Sequence, residues 1–340
     1  MQSNWHPTTD FWSTMAFTAP TEKFRFDQAF AGGVVGKRVL ITGSGKDGGI
    51  GQAFALAAGL NGAASVCVHF HRSYSDGFDL VNALNEQGIP AFPLQADVTN
   101  NGDLWATRSY VIEQMGGLPP DLVICNSGLT EKGYSFGRAG RAVDGESPAM
   151  RRARIRQAFI DNLEESRQVI DTKVDGFLAM THLWASEALH ANTPLRIVYV
   201  SSRQAIDPGA SVPGYAIANW AVLQLPKVLS VNLGKSADMV SACSVMYPFV
   251  RTGMTDEYAD NAKVFGRWQP RMLEPYEAAQ AFLQLLAQPP AETNHGMYEL
   301  NVLPGATEAD DIAVKWTQIQ LNPTETTLPW SSETPLRYAL

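Results

Sequence analysis

Cysteine is scarce in this chain: three among 340 residues, too few for a paired disulfide framework. Cys67, Cys125 and Cys243 each sit in or at the end of an apolar run, the setting of buried reduced thiols, so a reducing, cytoplasmic compartment is expected. The histidines (His6, His69, His71, His182, His190 and His295) form no zinc-ligand cluster with the cysteines and no triad spacing with carboxylates. No metal site is expected, and each histidine reads as structural or superficial. Positive charge is also short: 26 Lys and Arg stand against 34 Asp and Glu, a formal net charge of −8. A surface made to hold a phosphate backbone is normally basic, so nucleic acid is not expected as a main partner. No run of about 18 apolar residues occurs, and no membrane-spanning segment is expected. The opening Met1-Gln-Ser-Asn-Trp-His-Pro lacks the basic start and apolar stretch of a secretory leader. No Gly/Ser linker, internal repeat or low-complexity tract divides the text.

What is present suffices for a large core: 45% of residues are hydrophobic and 18% charged, which excludes a disordered or collagen-like chain. The length fits one large domain or two smaller ones, and the missing linker favours one domain with tails. From Lys37 onward, short apolar runs alternate with helical patterns. The runs are Arg38 to Thr42, Ala64 to Phe70, Ala91 to Gln95, Leu122 to Cys125, Arg196 to Val200, Val240 to Tyr247 and Met297 to Leu303. Continuous runs, rather than strict alternation, indicate strands buried on both faces of a parallel sheet. Helices fill the gaps, as over Ile50 to Leu60 and Leu225 to Gly234. The pattern predicts an α/β fold, a doubly wound parallel sheet flanked by helices, over residues 37–305. Residues 1–36 form an N-terminal extension whose aromatics (Trp5, Phe11, Trp12, Phe17, Phe24, Phe26 and Phe30) must be buried on the body or on a second subunit. Residues 306–340, with Asp310, Asp311, Trp316, Pro323, Pro329 and Trp330, read as a C-terminal extension wrapped on the surface.

The first strand leads directly into Thr42-Gly43-Ser44-Gly45-Lys46-Asp47-Gly48-Gly49-Ile50-Gly51 and then a helix. A backbone that turns sharply onto a pyrophosphate has no room for Cβ atoms, and the helix start that follows offers free N–H groups to the anion. A glycine-rich turn that binds nothing is the bland alternative; its position between strand and helix argues for the Rossmann-type reading. Gly43, Ser44, Gly45, Gly49, Ile50 and Gly51 are the candidate contacts. The second strand ends in His69-Phe70-His71-Arg72-Ser73, with no acid in reach to hold ribose hydroxyls as NAD sites do. Arg72, with Ser73 beside it, can pair with a 2′-phosphate, so NADPH is the expected cofactor; a solvated cation is the alternative.

Farther on, Val200-Ser201-Ser202 closes a strand, and Tyr215 opens a helix 13 residues after Ser202. Asn219, four residues later, shares its helical face. A tyrosine gives its proton to a reduced carbonyl only when its phenol is more acidic than the usual pKa of about 10, and a nearby cation achieves that. With Thr42 to Gly51, Asp97-Val98, Asn126-Ser127-Gly128, Ser202 and Tyr215, the segment from about residue 36 to 305 resembles a short-chain dehydrogenase/reductase. Most of that family carries Lys four residues after the Tyr and Asn on the preceding helix. Here Asn219 holds the first position and Lys173 the second. The paired exchange resembles the ketoreductase domains of animal fatty-acid synthases and modular polyketide synthases. The resemblance implies that Tyr215 is the general acid and that Ser202 holds the carbonyl oxygen. It implies that Lys173 lowers the Tyr pKa and binds the ribose, while Asn219 orients the neighbouring polar groups. It further implies Asp97 and Val98 at the adenine, Asn126, Ser127 and Gly128 under the cofactor, and Pro248, Val250 and Thr252 at the nicotinamide. Two features depart from the commonest pattern. The glycine loop is two residues longer, similar to the ketoreductase of fungal fatty-acid synthases, and Pro248-Phe249 replaces Pro-Gly. Pro226 is expected to kink the helix that begins near Tyr215.

Between Asn126 and Lys173 the chain is longer than is usual in the family. The extra text, residues 129–156, is rich in glycine and ends in Arg151, Arg152, Arg154 and Arg156. Cations at a helix start oppose its dipole, so a carrier-arm phosphate, an acidic carrier protein or a charged substrate is one reading. Pairing with Asp144, Glu146 and other surface acids is the other. A lid is expected over residues 253–275, where Tyr258, Phe265 and Trp268 either meet a large apolar substrate or pack ordinarily. The overall expectation is an NADPH-dependent ketone reductase of biosynthetic metabolism, acting on a small-molecule or carrier-bound ketone and working as a homo-oligomer, dimer or tetramer. The alternatives are a non-redox cyclase or isomerase on the same scaffold, and a non-catalytic cofactor-binding scaffold protein.

Overall fold

In the computed structural model, described here over residues 21–26, 28–209, 211–258, 260–304 and 313–320, the apolar runs form a single sheet. Trp5, Phe11, Trp12, Phe17, Asp310, Asp311, Pro323, Pro329 and Trp330 lie outside those residues. The strands are β1 (Arg38–Ile41), β2 (Ser65–Phe70), β3 (Ala91–Gln95), β4 (Leu122–Cys125), β5 (Leu195–Ser202), β6 (Val240–Tyr247), β7 (Met297–Val302) and β8 (Val314–Ile319). Their order across the sheet is β3-β2-β1-β4-β5-β6-β7-β8, with every pair parallel except β7 and β8.

The continuous apolar runs have a direct cause. Val39 and Ile41 face one buried layer and Leu40, between them, faces the other. Likewise Val66 and Val68 join the first layer, and Cys67 the second. A strand covered on both sides has no polar face, so alternation vanishes. The first layer is closed by α2 (Ile50–Leu60), α3 (Tyr74–Glu86) and α10 (Pro275–Leu286), with Phe54 stacked on Phe282 at 4.3 Å between ring centroids; a short α1 (Gln28–Ala31) precedes β1. The opposite layer uses α4 (Asn101–Gln114), α6 (Gly176–Ala191) and the pair α7 (Pro213–Leu223) and α8 (Leu225–Leu233), around Phe177, Trp184 and Tyr199. The short α9 (Ala262–Phe265) and α11 (Pro290–Thr293) lie in connections. Arg196, buried on β5, donates to the carbonyls of Leu286 (2.7 Å) and Leu285 (3.4 Å), serving the unsatisfied end of α10.

Two local readings of the sequence change here, and a third feature is new. The region read as a surface extension contributes β8, an edge strand whose side chains are half-exposed. Its Trp316 donates to the Ala281 carbonyl (2.8 Å) and meets Tyr247 edge-on, so the strand belongs to the body. Instead of kinking one helix, Pro226 stands in the first turn of α8, which begins after a break at Gln224; there its missing N–H costs nothing. Finally, the long α5 (Pro148–Ile170) continues through a π-helical turn, Asp171–Asp175, into α6. Such wide turns displace a side chain from the regular helical path. Lys173 sits in this one.

The sheet places its functional edge by topology. Chain direction across the sheet reverses between β1 and β4, and the crevice beyond their carboxyl ends is where ligands of such folds bind.

Candidate active site

The loop after β1 is tied to its neighbours chiefly through backbone and uncharged groups. Gly43 adopts a left-handed φ of 67°, and a Cβ there would lie 2.9 Å from the Ser127 backbone; at Gly45 it would lie 2.7 Å from Phe70. The buried Thr42 hydroxyl accepts N–H bonds from Asn126 (2.9 Å) and Ser127 (3.0 Å), fastening the exit of β4 beneath the loop. The Asn126 amide returns bonds to the carbonyls of Thr42 (3.1 Å) and Gly43 (3.3 Å). Gly49 begins α2 without any side-chain cap, which leaves the first-turn N–H groups open to an anion. That opening, with the glycine turn in front of it, fits a dinucleotide pyrophosphate.

Residues not singled out in the sequence complete the loop. Gln52 accepts from the Gly48 N–H (3.0 Å) and donates to Asp47 (3.0 Å). His69 accepts the Gly43 N–H on Nδ1 at 3.1 Å, while its buried Nε2 has no partner. Burial pushes the His69 pKa down to about 4, so it is neutral and free to accept. Ser44, expected as a cofactor contact, has its hydroxyl committed elsewhere: it donates to the Ile41 carbonyl (2.9 Å) and accepts from the His69 N–H (3.1 Å). It braces β1 against β2, as does its N–H, which donates to the His69 carbonyl (2.9 Å), so neither group is on offer to a ligand.

Arg72 stands exposed beyond β2, with Ser73 at the start of α3. Asp97, after β3, accepts from Thr99 and lies 3.6 Å from His71, a pairing invisible in linear spacing. Although burial raises the Asp97 carboxyl, the Thr99 bonds and the nearby His71 and Arg72 hold it below its ordinary pKa. Val98 is buried against Gly176, where a Cβ would approach within 2.8 Å.

The second cluster brings Lys173, Tyr215, Ser202 and Asn219 together. Lys173 is only 4% exposed, and its Nζ lies 6.0 Å from the centre of the Tyr215 ring and 5.4 Å from that of Phe177. A Cβ on Gly128 would come within 3.5 Å of the same nitrogen, so the amine reaches the floor beside the glycine loop. Burial pushes the Lys173 pKa down to about 8. Tyr215 departs from expectation. Burial raises its phenol above the usual value, opposed by hydrogen bonding with the side chains of Ser202 and Asn219. The lowering expected from Lys173 does not appear: desolvation dominates, and what opposes it comes from Ser202 and Asn219. Asn219 is wholly buried; its amide donates to the Tyr215 carbonyl (2.8 Å), and its Oδ1 has no partner. Ser202 ends β5 and accepts from the Gln204 N–H (3.2 Å).

Beyond β6, Pro248 and Val250 lead to Thr252, whose N–H donates to the Thr255 hydroxyl (3.1 Å). The three aromatics of the expected lid pack onto Phe249, with Trp268 stacked at 5.6 Å, which is the ordinary-packing alternative. Gln269 clasps the Phe249 backbone from both sides (2.7 and 2.8 Å). Asp207 accepts from the Trp268 indole and from Arg267 (2.7 Å). In the insertion, Arg151 and Arg154 both pair with Glu146, the bland reading for those two; Arg152 and Arg156 remain exposed.

Comparison with known proteins agrees with this architecture. The sequence profile described as short chain dehydrogenase matches residues 37–263. A short chain dehydrogenase, mdpC, of Emericella nidulans is 29% identical over 210 residues, covering 61% of this chain and 67% of that protein. Versicolorin reductase 1 of Dothistroma septosporum is 30% identical over 172 residues, 51% of this chain; the match spans 60% of that reductase, less than two thirds of its length. Among solved structures, a short-chain type dehydrogenase/reductase from Mycobacterium marinum is similar with a TM-score of 0.64 and 23% identity, covering 80% of this chain and 97% of that one. The L-sorbose reductase of Gluconobacter frateurii, complexed with NADPH and L-sorbose, is similar with a TM-score of 0.63 and 18% identity, covering 79% and 96%.

Proposed function

Because this chain belongs to the short-chain dehydrogenase family, we propose that it is an NADPH-dependent ketone reductase of biosynthetic metabolism. The observation that carries the reading is the buried Lys173 amine beside the Tyr215 ring, next to the floor of the glycine loop. NADPH supplies the hydride when bound. The turn at Gly43, Gly45 and Gly49 gives the pyrophosphate room, the Gly43 and Gly49 N–H groups being committed to His69 and the Lys46 carbonyl; Ile50 and Gly51 hold it through backbone N–H groups at the start of α2, with Asn126, Ser127 and Gly128 beneath. Arg72 meets the 2′-phosphate, helped by Ser73; Asp97 and Val98 border the adenine; Pro248, Val250 and Thr252 border the nicotinamide.

Tyr215 delivers the proton to the carbonyl oxygen, and Ser202 holds that oxygen. With a pKa near 8, Lys173 is protonated at neutral pH and stabilises the phenolate that forms when the proton leaves. The raised resting phenol suits this sequence of events: Tyr215 stays protonated until a substrate oxygen accepts from it. Asn219 anchors the first turns of α7 through the Tyr215 carbonyl.

Three further points belong to the same reading. The buried free thiols suit a cytoplasmic protein. Among the described residues no helix is long and apolar enough to cross a membrane. Exposed apolar side chains on α5, α7 and α8, including Phe159, Ile217, Trp220 and Val231, suit a homo-oligomer, dimer or tetramer. The substrate proposed is a polyketide-type or acyl-type ketone, free or carrier-bound; a reductase of biosynthesis is in keeping with relatives such as versicolorin reductase. The test is NADPH oxidation against a panel of free and carrier-linked ketones, with polycyclic aromatic ketones included. Stoichiometric alcohol formation supports the reading. Product formed without NADPH consumption selects the cyclase or isomerase alternative, and no turnover of any ketone selects the scaffold.

A further inference from the structure

Helix α7 begins at a position that cannot cap it. Its N-cap residue is Val212, which has no acceptor side chain, and its first residue, Pro213, has no N–H. The first intrahelical bond is Ala216 N–H to the Val212 carbonyl (3.0 Å), so the N–H groups of Gly214 and Tyr215 need partners from elsewhere. Both find them on one side chain. Glu131, in the insertion and only 5% exposed, accepts from Gly214 on one oxygen (2.8 Å) and from Tyr215 on the other (3.1 Å). The same carboxylate accepts from the buried Ser166 hydroxyl on α5 (2.7 Å), and Ser166 is in turn bonded to the Tyr134 hydroxyl (2.6 Å). Three of the carboxylate's roughly four acceptor sites are thereby filled, which is what a buried carboxylate needs. Gly214 admits this approach: a Cβ there would lie 2.6 Å from the Glu131 oxygen and 2.8 Å from the Ser166 backbone.

The two helices bridged in this way carry the two groups of the proposed chemistry. Ser166 precedes Lys173 by seven residues, about two turns of helix, and Tyr215 itself donates one of the bonds. We propose that Glu131 is a positioning residue: it fixes α7 on α5 and so sets the distance between the Lys173 amine and the Tyr215 phenol. A function of the insertion is then to supply the cap that the helix lacks. The proposal rests on the reductase reading for its kinetic consequence, though not for its structural one.

The test is a double-mutant cycle with a readout independent of turnover. Glu131→Ala is expected to lower kcat at least 30-fold with the NADPH Kd changed less than threefold. In a Lys173→Ala background it should cost less than a further threefold, because the arrangement it maintains is already lost. Equal losses in both backgrounds, or an unchanged kcat, overturn the proposal. Hydrogen exchange at the Gly214 and Tyr215 amides should accelerate at least tenfold in Glu131→Ala, and unchanged exchange there also overturns it. If Glu131→Ala does not fold, Ser166→Ala carries the same cycle, with a three- to tenfold loss expected and no loss contradicting. Absence of ketone reduction by the unaltered protein defeats the reductase reading alone; the exchange measurement still decides the role of Glu131.

Discussion

The cradle around the glycine loop and the cluster around Tyr215 are built on different terms. In the cradle, the loop is held by the Thr42 hydroxyl, the neutral His69 ring and amides of Asn126 and Gln52. In the catalytic cluster, an amine and a carboxylate are taken out of water: Lys173 and Glu131 are each almost wholly buried. The first arrangement is a stable receptacle. The second keeps a cation where burial disfavours it, a cost that protein cores avoid unless the charge does something. Under the proposed function, the first half binds the cofactor and the second moves the proton.

If that division holds, the two halves break separately. The largest effect is expected from Tyr215→Phe, which removes the proton donor and nothing from the cradle. The rate constant for ketone reduction should fall on the order of 10³-fold, with NADPH binding unchanged by fluorescence titration. A parallel loss of NADPH affinity would show that the halves are not separable. Arg72→Ala is the reverse case. It should weaken NADPH about 10- to 100-fold, the value of one or two charge-assisted hydrogen bonds, and leave kcat and NADH affinity alone. Equal weakening of both cofactors would remove Arg72 from the 2′-phosphate. The smallest effect concerns pH. With Lys173 titrating near 8, kcat should decline above that pH by about tenfold per unit, while the NADPH Kd, to which Lys173 adds only its contact with the ribose, changes less than about threefold to pH 9. A flat kcat profile through this range would detach Lys173 from the proton step.

The same division explains what could be read from the sequence. The centre of the cradle is contiguous: strand, glycine turn and helix run from Arg38 to Leu60, so its pattern is written in adjacent residues, although His69, Phe70, Asn126 and Ser127 close it from other strands. Strands β1 to β7 were legible because burial on both faces leaves uninterrupted apolar runs. β8 was not, because an edge strand with half-exposed side chains carries little hydrophobic signal and sat in a stretch rich in proline and acid. Lys173 and Tyr215 emerged from a resemblance rather than from local pattern, since 42 residues separate them. Glu131 was missed altogether. Its partners are 35, 83 and 84 residues away, and a single glutamate among surface charges has no linear signature; an uncappable Val212-Pro213 helix start was the signal available. The direction of the Tyr215 shift was also misjudged, because desolvation depends on packing that spacing does not reveal.

The account stands or falls on the buried amine at position 173. Its depressed pKa means that, below about pH 8, folding forces a charged group into the core; stability therefore rises with pH between about 8 and the unfolded value of 10.5, where the native amine is neutral and the unfolded one still protonated. Replacing it with an isosteric apolar side chain separates function from stability. The most direct test is single-turnover ketone reduction by NADPH-loaded Lys173→Met at pH 7, followed on protein whose thermal unfolding has been recorded. The account predicts reduction slowed at least 10²-fold in a protein made more stable by a few kcal/mol at most, as removal of a buried charge allows. Reduction at the unaltered rate would contradict it.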